Sequence, residues 1–217
     1  MKVGIFDSGM GGMTTLRALR EKLPDIDFEF YADHKNNPYG EKTDEELWRI
    51  VKEIVDRFAS QGVKIIIIAC NTATVRCIDR LRKEYQNIKF VGTEPAIKLA
   101  CDAGCSNILV LATPGTVKSE RVKVLVKENE DIGRKITLFA CLGLADAIEF
   151  HRDVDKKLAE LLSSLKDQKF DAVVLGCTHY ILVQDKIQEY FKESKMLDGN
   201  DGIVRRVEKI IELDTQK

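Results

Sequence analysis

Short apolar runs alternate with amphipathic stretches along the whole chain, and this pattern predicts the secondary structure. Strands that alternate with helices indicate a parallel sheet with helices on both faces, so we expect an α/β fold. The predicted strands lie at 2–6, 27–31, 63–69, 88–92, 107–112, 135–140, 170–176 and 195–197.

The clearest predicted helix begins after Thr43. Thr43 and Glu46 have the spacing of a capping box, in which each side chain binds the free backbone amide of the other residue. The apolar residues that follow recur on one helical face, which we expect to pack against the sheet. They are Leu47, Ile50, Val51, Ile54, Val55 and Phe58.

A weak internal duplication divides the chain into two halves. A strand opens into a Gly/Thr loop and a helix at 5–15 and again at 109–119, and each half also has a strand that ends at a cysteine. We expect two similar α/β lobes, each a parallel-type sheet flanked by helices, with the active site in the cleft between them. The predicted lobes are 1–93 plus 198–217, and 94–197.

The cysteines Cys70 and Cys177 each directly follow a buried-strand pattern. Parallel strands deliver ligands at their carboxyl edge, so we expect both thiols to lie there. A free cysteine is often only a buried, space-filling residue, which is the alternative for each site taken alone. The hydrogen-bonding residues at 71–72 and 178–179 favour a functional role, with the two thiols on either side of one ligand.

A thiol that acts as a base near neutral pH needs a partner, because its ordinary pKa is about 8.5. His179 lies two residues beyond Cys177, and an imidazole beside a thiol can exchange protons with it. Cys70 has no neighbouring base in the sequence, and Asp7, at an equivalent strand end, is the best candidate for its helper. The other histidines lack such a setting and are expected to be surface residues: His34 and His151.

Two loops carry candidate binding groups. The loop at 7–12 has glycines that let backbone amides approach an anion at a helix N-terminus, although a plain strand-to-helix turn is the alternative. It matches neither the Walker loop, nor GxGxxG, nor the nucleophile elbow GxSxG. The loop at 37–40 is either a simple turn or a place where Tyr39 presents a hydroxyl group and the amides hold a carboxylate. Further uncharged donors for an anion are Asn71, Thr72, Thr116 and Thr178, each of which could also be a cap or a turn residue.

Composition excludes several classes of function. The chain has 217 residues, a formal net charge of -1 and a pI near 6.3, which give no electrostatic reason to expect nucleic acid or an anionic membrane as partner. The six cysteines show no CxxC and no paired metal-ligand dyads, and they are expected to be reduced thiols. The first seven residues lack a signal-peptide pattern, and no apolar run approaches the ~20 residues of a membrane span. We therefore expect a soluble cytoplasmic protein with a small substrate.

Four motifs occur along the chain, and they are Phe6-Asp7-Ser8-Gly9-x-Gly11-Gly12, Asn37-Pro38-Tyr39-Gly40, Ala69-Cys70-Asn71-Thr72-Ala73 and Leu175-Gly176-Cys177-Thr178-His179-Tyr180. Together they resemble the glutamate racemases of the cofactor-independent aspartate/glutamate racemase superfamily. They occur in the order found in that family, and the late segment Leu197-Asp198-Gly199 is also similar, so the resemblance spans almost the whole chain.

The resemblance implies roles for residues of this chain. Asp7 and Cys70 would serve one face of glutamate, Cys177 with His179 would serve the other, and Glu149 would be an acidic helper near the second thiol. It also implies a homodimer, no metal, no pyridoxal-type cofactor, and D-glutamate production for peptidoglycan. The implied substrate-binding residues are Ser8, Pro38, Tyr39, Gly40, Asn71, Thr72, Thr116 and Thr178.

The chain departs from the family at three points. His34 stands where Thr is usual, Ile181 stands where Pro is common, and the chain is shorter than most members, apparently between Glu149 and Phe170. These departures bear on side-chain specificity, regulation and dimer geometry more than on the chemistry. The closest alternatives keep the fold and are a racemase of aspartate or hydantoin, or a one-cysteine decarboxylase, although both thiols and Asp7-Ser8-Gly9 favour the glutamate branch. Two alternatives from other functional classes are a binding protein without catalytic activity and a metal-dependent hydrolase. The metal ligands would be Cys70, Cys177, His179 and Asp7.

Overall fold

Two parallel four-stranded sheets form the framework of the protein. The computed structural model describes residues 1–130 and 133–215. The strand order is β2-β1-β3-β4 in the first sheet and β6-β5-β7-β8 in the second, and every strand pair is parallel. The same order in both sheets agrees with the internal duplication, and the predicted α/β fold with two similar lobes is confirmed.

All eight predicted strands are present, and their ends differ from the predicted ones by at most two residues. The strands are β1 (Lys2–Asp7), β2 (Asp27–Ala32), β3 (Ile65–Ile68), β4 (Lys89–Gly92), β5 (Asn107–Ala112), β6 (Lys135–Ala140), β7 (Ala172–Gly176) and β8 (Lys195–Leu197). The α-helices are α1 (Gly12–Lys22), α2 (Asp44–Ser60), α3 (Asn71–Glu84), α4 (Ile97–Asp102), α5 (Pro114–Lys118), α6 (Glu120–Asn129), α7 (Leu144–Glu149), α8 (Val154–Leu162), α9 (Thr178–Ile181), α10 (Gln184–Tyr190) and α11 (Asn200–Thr215).

The central strands are apolar throughout because helices cover both of their faces. Every residue of β3 and β7 is buried. In the first lobe, α2 and α3 pack on one face of the sheet, and α1 and α11 pack on the other. In the second lobe, α7, α8 and α10 cover one face, and α4 and α6 cover the other. Each lobe is therefore a three-layer sandwich that fixes where its strands end.

The predicted capping box begins α2. The hydroxyl of Thr43 accepts from the backbone N–H of Glu46, and the Glu46 carboxylate accepts from the backbone N–H of Thr43 at 2.9 Å. The predicted apolar stripe is buried from Leu47 to Phe58, except that Ile50 is only partly buried. This cap places the loop at 37–42 between β2 and α2, directly at the cleft.

The last helix returns to the first lobe. α11 follows β8 of the second sheet, yet it packs against α1 and β4 of the first. The proposed lobe boundaries at 93/94 and 197/198 stay a prediction, and residues 216–217 of the first predicted lobe lie outside the described residues. Within the described ranges, no helix has the length and apolar character needed to cross a membrane.

Candidate active site

The carboxyl edges of the two sheets meet, and this brings the predicted site residues together. Cys70 follows β3 and Cys177 follows β7, which occupy equivalent central positions in the two sheets. Both thiols are buried, with 5% of Cys70 and 7% of Cys177 exposed. The hydroxyl of Thr178, beside Cys177, donates across the cleft to the Asp7 carboxylate at 3.2 Å. The two strand ends therefore form one site.

On the second lobe, a chain of hydrogen bonds leads away from Cys177. The Sγ atom of Cys177 lies 3.8 Å from Nδ1 of His179. The other ring nitrogen, Nε2, lies 2.6 Å from Oε2 of Glu149. The same carboxylate oxygen accepts from the backbone N–H of Met10, in the first lobe, at 2.9 Å. Glu149 is thus close to the second thiol and contacts it through the imidazole of His179.

This arrangement perturbs the charge state of both partners. Burial opposes ionisation of His179, but hydrogen bonds to Cys177 and Glu149 outweigh it and raise the pKa of His179 to about 10. Burial likewise opposes ionisation of Glu149, yet hydrogen bonds from His179, Met10 and His34 lower the pKa of Glu149 to about 2. A charged imidazole therefore sits beside the Cys177 thiol at neutral pH.

The first thiol has a different environment. Cys70 Sγ lies 3.8 Å from the Ser8 hydroxyl, its hydrogen-bond partner. Burial raises the pKa of Cys70 above its ordinary range, and the nearby Asp7 and Cys177 charges add to this effect. The Cys70 thiol is therefore protonated in this environment.

Asp7, the predicted helper of Cys70, is held by the glycine loop and by Thr178, and its role as helper stays a prediction. Its carboxylate accepts from the backbone N–H of Gly9 at 3.3 Å and of Gly12 at 2.9 Å, as well as from Thr178. Burial raises the pKa of Asp7. Because the glycine loop holds Asp7 at the start of α1, its influence on Cys70 is electrostatic.

A cluster of hydroxyl groups lies on the other side of the cleft. Thr72, at the start of α3, is 2.9 Å from the hydroxyl of Thr113 and 3.1 Å from that of Thr116, so the cluster joins both lobes. The neighbouring Asn71 is buried, and its Oδ1 atom has no hydrogen-bond partner in the structure. These uncharged groups can donate to a carboxylate and accept from an ammonium group.

The loop at 38–40 closes the site in a way that corrects one expectation. The Tyr39 hydroxyl is turned to the Asp33 carboxylate, at 2.7 Å, and is not presented as a free donor. Burial raises the pKa of Tyr39. Gly40 lies so close to the second lobe that an added Cβ would be 2.7 Å from the Cβ of Thr113. Pro38 precedes this contact and shapes the turn.

Sequence reasoning missed three residues that contact the site. His34 is exposed, as expected, and its Nδ1 atom also hydrogen-bonds to Oε1 of Glu149, a contact that the sequence pattern did not predict. Asp33 is buried and holds Tyr39. Thr113 follows β5, the equivalent of β1 in the duplicated pattern, and this position was the signal that could have identified it. His151 is exposed.

A groove of about 920 Å³ lies outside the contact between the lobes, lined by residues of both, including Gly40, Arg76, Gly115 and Leu142, but by neither Cys70 nor Cys177. Among residues 1–130 and 133–215, no three His, Cys, Asp or Glu side chains are grouped in a way that could hold a metal ion.

Comparison with known proteins gives the same family throughout. A family model described as Asp/Glu/Hydantoin racemase matches residues 16–207. A glutamate racemase of Clostridium perfringens is 36% identical over 216 residues, which cover 97% of this chain and 83% of that protein. A glutamate racemase of Sulfurovum sp. is 38% identical over 216 residues, covering 95% of this chain and 81% of that protein.

A solved structure supports the same family assignment. The crystal structure of Escherichia coli glutamate racemase in complex with L-glutamate and the activator UDP-MurNAc-ala has a TM-score of 0.86 to this chain at 30% identity, covering 97% of this chain and 82% of that one. These relatives are longer, while the placement of the shortfall between Glu149 and Phe170 stays a prediction. The extent of these matches, over a site with both thiols in place, shows that the chain belongs to the Asp/Glu/hydantoin racemase family.

Proposed function

We propose that the protein interconverts L- and D-glutamate without a cofactor, by moving the Cα proton between two thiols. One observation carries the proposal: Cys70 and Cys177 follow equivalent strands of two facing sheets, and both thiols are buried where the carboxyl edges of those sheets meet. Racemisation requires a base on one face of Cα and an acid on the opposite face. Two thiols from opposite lobes supply that pair.

The environments of the two thiols suit different roles, one as base and one as acid. The positively charged imidazole of His179 lies 3.8 Å from the Cys177 sulfur and would stabilise negative charge that develops there, whereas burial raises the pKa of Cys70. With Cys177 as the base, it would take the Cα proton of L-glutamate, and the S–H of Cys70 would give its proton to the other face. The reaction from D-glutamate runs in reverse. The assignment of each thiol to one enantiomer rests on the family resemblance.

The remaining polar groups would bind the substrate and stabilise the carbanion-like charge. Hydrogen-bond donors aimed at the α-carboxylate lower the energy of the deprotonated intermediate, because negative charge moves onto that group. The buried carboxylate of Asp7 and the free Oδ1 of Asn71 are acceptors suited to the ammonium group. The proposed substrate-binding residues are Ser8, Pro38, Tyr39, Gly40, Asn71, Thr72, Thr116 and Thr178, with Tyr39 contributing through its backbone.

Three further properties are proposed on the resemblance to glutamate racemases. The protein would supply D-glutamate for peptidoglycan synthesis, act in the cytoplasm and form a homodimer. Analytical ultracentrifugation of the purified chain would test the last of these, and a sedimentation coefficient of a monomer at micromolar concentration would contradict it.

The experiment that tests the function is a chiral assay of EDTA-treated protein with both enantiomers of glutamate and of aspartate. We expect glutamate to racemise from either enantiomer, and aspartate to react at least tenfold more slowly. Cys70→Ser and Cys177→Ser should each abolish both directions, since the two steps share one reversible path. Cys77→Ser is the matched control, because Cys77 is also a buried cysteine, lies on α3, the helix that directly follows Cys70 in the chain, and has none of the site contacts described above.

Two results would overturn the proposal. Turnover of aspartate but not of glutamate would assign a different substrate to the same fold. Loss of glutamate turnover on chelation, restored by Zn²⁺, would replace proton transfer between thiols by a reaction that depends on a metal.

A further inference from the structure

His34 links the buried acid–base group to the protein surface. It lies in a 3-10 turn, His34–Asn36, that follows β2 in the first lobe, and 61% of its side chain is exposed. Its Nδ1 atom contacts Oε1 of Glu149, which lies at the end of α7 in the second lobe. The Glu149 side chain is almost completely buried. The contact therefore crosses the cleft, from an exposed turn to the carboxylate that holds His179.

Both oxygens of the Glu149 carboxylate are engaged, and each has its own partners. Oε2 holds Nε2 of His179 and the backbone N–H of Met10, whereas Oε1 holds His34. A carboxylate held at one oxygen can still rotate about its terminal torsion, which is broad and has only weak preferences. A donor on the second oxygen limits that rotation. His34 therefore restricts rotation of the Glu149 carboxylate and helps to keep Oε2 directed at the imidazole of His179.

We propose that His34 is a positioning residue for proton transfer at Cys177, acting through Glu149 and His179. This inference rests on the proposed two-thiol racemisation. His34 holds Oε1, Glu149 then holds Nε2 of His179, and the ring keeps Nδ1 directed at the Cys177 sulfur, 3.8 Å away. An imidazole with a proton on Nδ1 can donate to Oε1 whether it is neutral or charged, so the role does not require His34 to change its protonation state.

The proposed role is specific to one thiol. Cys70 has the hydroxyl of Ser8 as its hydrogen-bond partner, and that contact does not pass through Glu149. Removal of His34 should therefore slow the proton transfers at Cys177 and leave those at Cys70 unchanged. Because the equilibrium constant of a racemisation is one, kcat/KM must fall equally for both enantiomers. The difference between the two thiols must therefore appear in which of the two proton transfers limits the rate.

The test compares His34→Ala with His34→Asn and with Lys35→Ala. Asn places a side-chain N–H close to the position of Nδ1, so it keeps the donor to Glu149. Lys35 is the next residue of the same turn and is exposed, which makes it the matched control. For each protein, kcat/KM is measured with L- and D-glutamate carrying either hydrogen or deuterium at Cα. Circular dichroism and thermal midpoints confirm that every variant is folded.

We expect kcat/KM of His34→Ala to fall by about tenfold, the size of one lost hydrogen bond to a charged group that is partly solvated. The isotope effect should rise with deuterated L-glutamate, because Cys177 then breaks the labelled bond in the slow step. It should fall with deuterated D-glutamate, whose labelled bond breaks at Cys70 before the slow step. His34→Asn and Lys35→Ala should behave like the wild type.

Other results would overturn the inference. An unchanged kcat/KM in His34→Ala would show that the contact is dispensable. A slower variant whose two isotope effects shift together would show that His34 affects the whole site and not proton transfer at Cys177 in particular. Failure of His34→Asn to retain the wild-type rate would show that a hydrogen-bond donor to Glu149 is not what position 34 supplies. If the wild type does not racemise glutamate at all, the proposed function fails, and that outcome is visible before any variant is compared.

Discussion

A methyl group added at Gly11 should separate the lobes at the active site. A Cβ at this position would lie 2.6 Å from the backbone nitrogen of His179 and 2.6 Å from Oγ1 of Thr178. Ordinary contacts of a Cβ atom begin at 3.4 Å, so the second lobe must move by about 0.8 Å. The backbone nitrogen belongs to the start of α9, and side-chain rotation therefore cannot relieve the clash.

The size of this displacement sets the expected loss of activity. A misplacement of about 1 Å at a reacting centre can cost roughly 10²-fold in rate, so kcat of Gly11→Ala should fall by about that factor. Overfilling a packed region costs about 1–3 kcal/mol, and the thermal midpoint should fall as well. Racemisation of glutamate is followed by chiral chromatography, and unfolding by calorimetry.

Gly202→Ala is the control for a glycine-to-alanine change as such. Gly202 is an exposed residue of α11, and an added Cβ would have no atom within 4 Å. Alanine in a helix is more favourable than glycine by about 0.5–1 kcal/mol, so this variant should be slightly more stable with an unchanged kcat. A Gly11→Ala variant whose kcat is within twofold of the wild type would refute the tight contact between Gly11 and the second lobe.

The remaining predictions concern pH and the fold. Burial opposes both ionisations, but hydrogen bonds lower the pKa of Glu149 from 4.5 to about 2 and raise that of His179 from 6.5 to about 10. The contribution of Glu149 to stability is thus lost as the pH falls from 4.5 towards 2, and that of His179 as the pH rises from 6.5 towards 10. The thermal midpoints of the wild type and Glu149→Gln should differ most between pH 4.5 and 6.5, and a constant difference from pH 3 to 9 would contradict the ion pair. Thr43→Ala should lower the free energy of unfolding by about 1 kcal/mol in urea titrations and leave kcat unchanged, whereas a large loss of kcat would mean that the start of α2 shapes the site directly.

The fold was predictable because its signals are local in the sequence. A buried strand is a short apolar run, and the cap of α2 is contained in the four residues from Thr43 to Glu46. The positions of Cys70 and Cys177 at equivalent strand ends also follow from this local pattern. In parallel sheets, those ends meet ligands at one edge, so the thiols could be placed before any contact was known.

Contacts across the cleft could not be predicted in the same way. His34 and Glu149 are 115 positions apart, and their contact depends on how the two lobes are oriented. The Tyr39 hydroxyl could point into the cleft or to a neighbour, and the choice depends on Asp33 being buried beside it. Side-chain direction at a loop is decided by packing, for which the sequence carries no periodic signal.

The most direct test of the two-thiol account is the placement of deuterium during racemisation in D₂O. At early conversion, newly formed product should carry deuterium at Cα while unreacted substrate keeps hydrogen, from L-glutamate and from D-glutamate alike. The reason is that Cys70 and Cys177 lie on opposite lobes, so the thiol that gives the proton is not the one that removed it. Equal early deuteration of substrate and product would mean that one group serves both faces, and this would contradict the account.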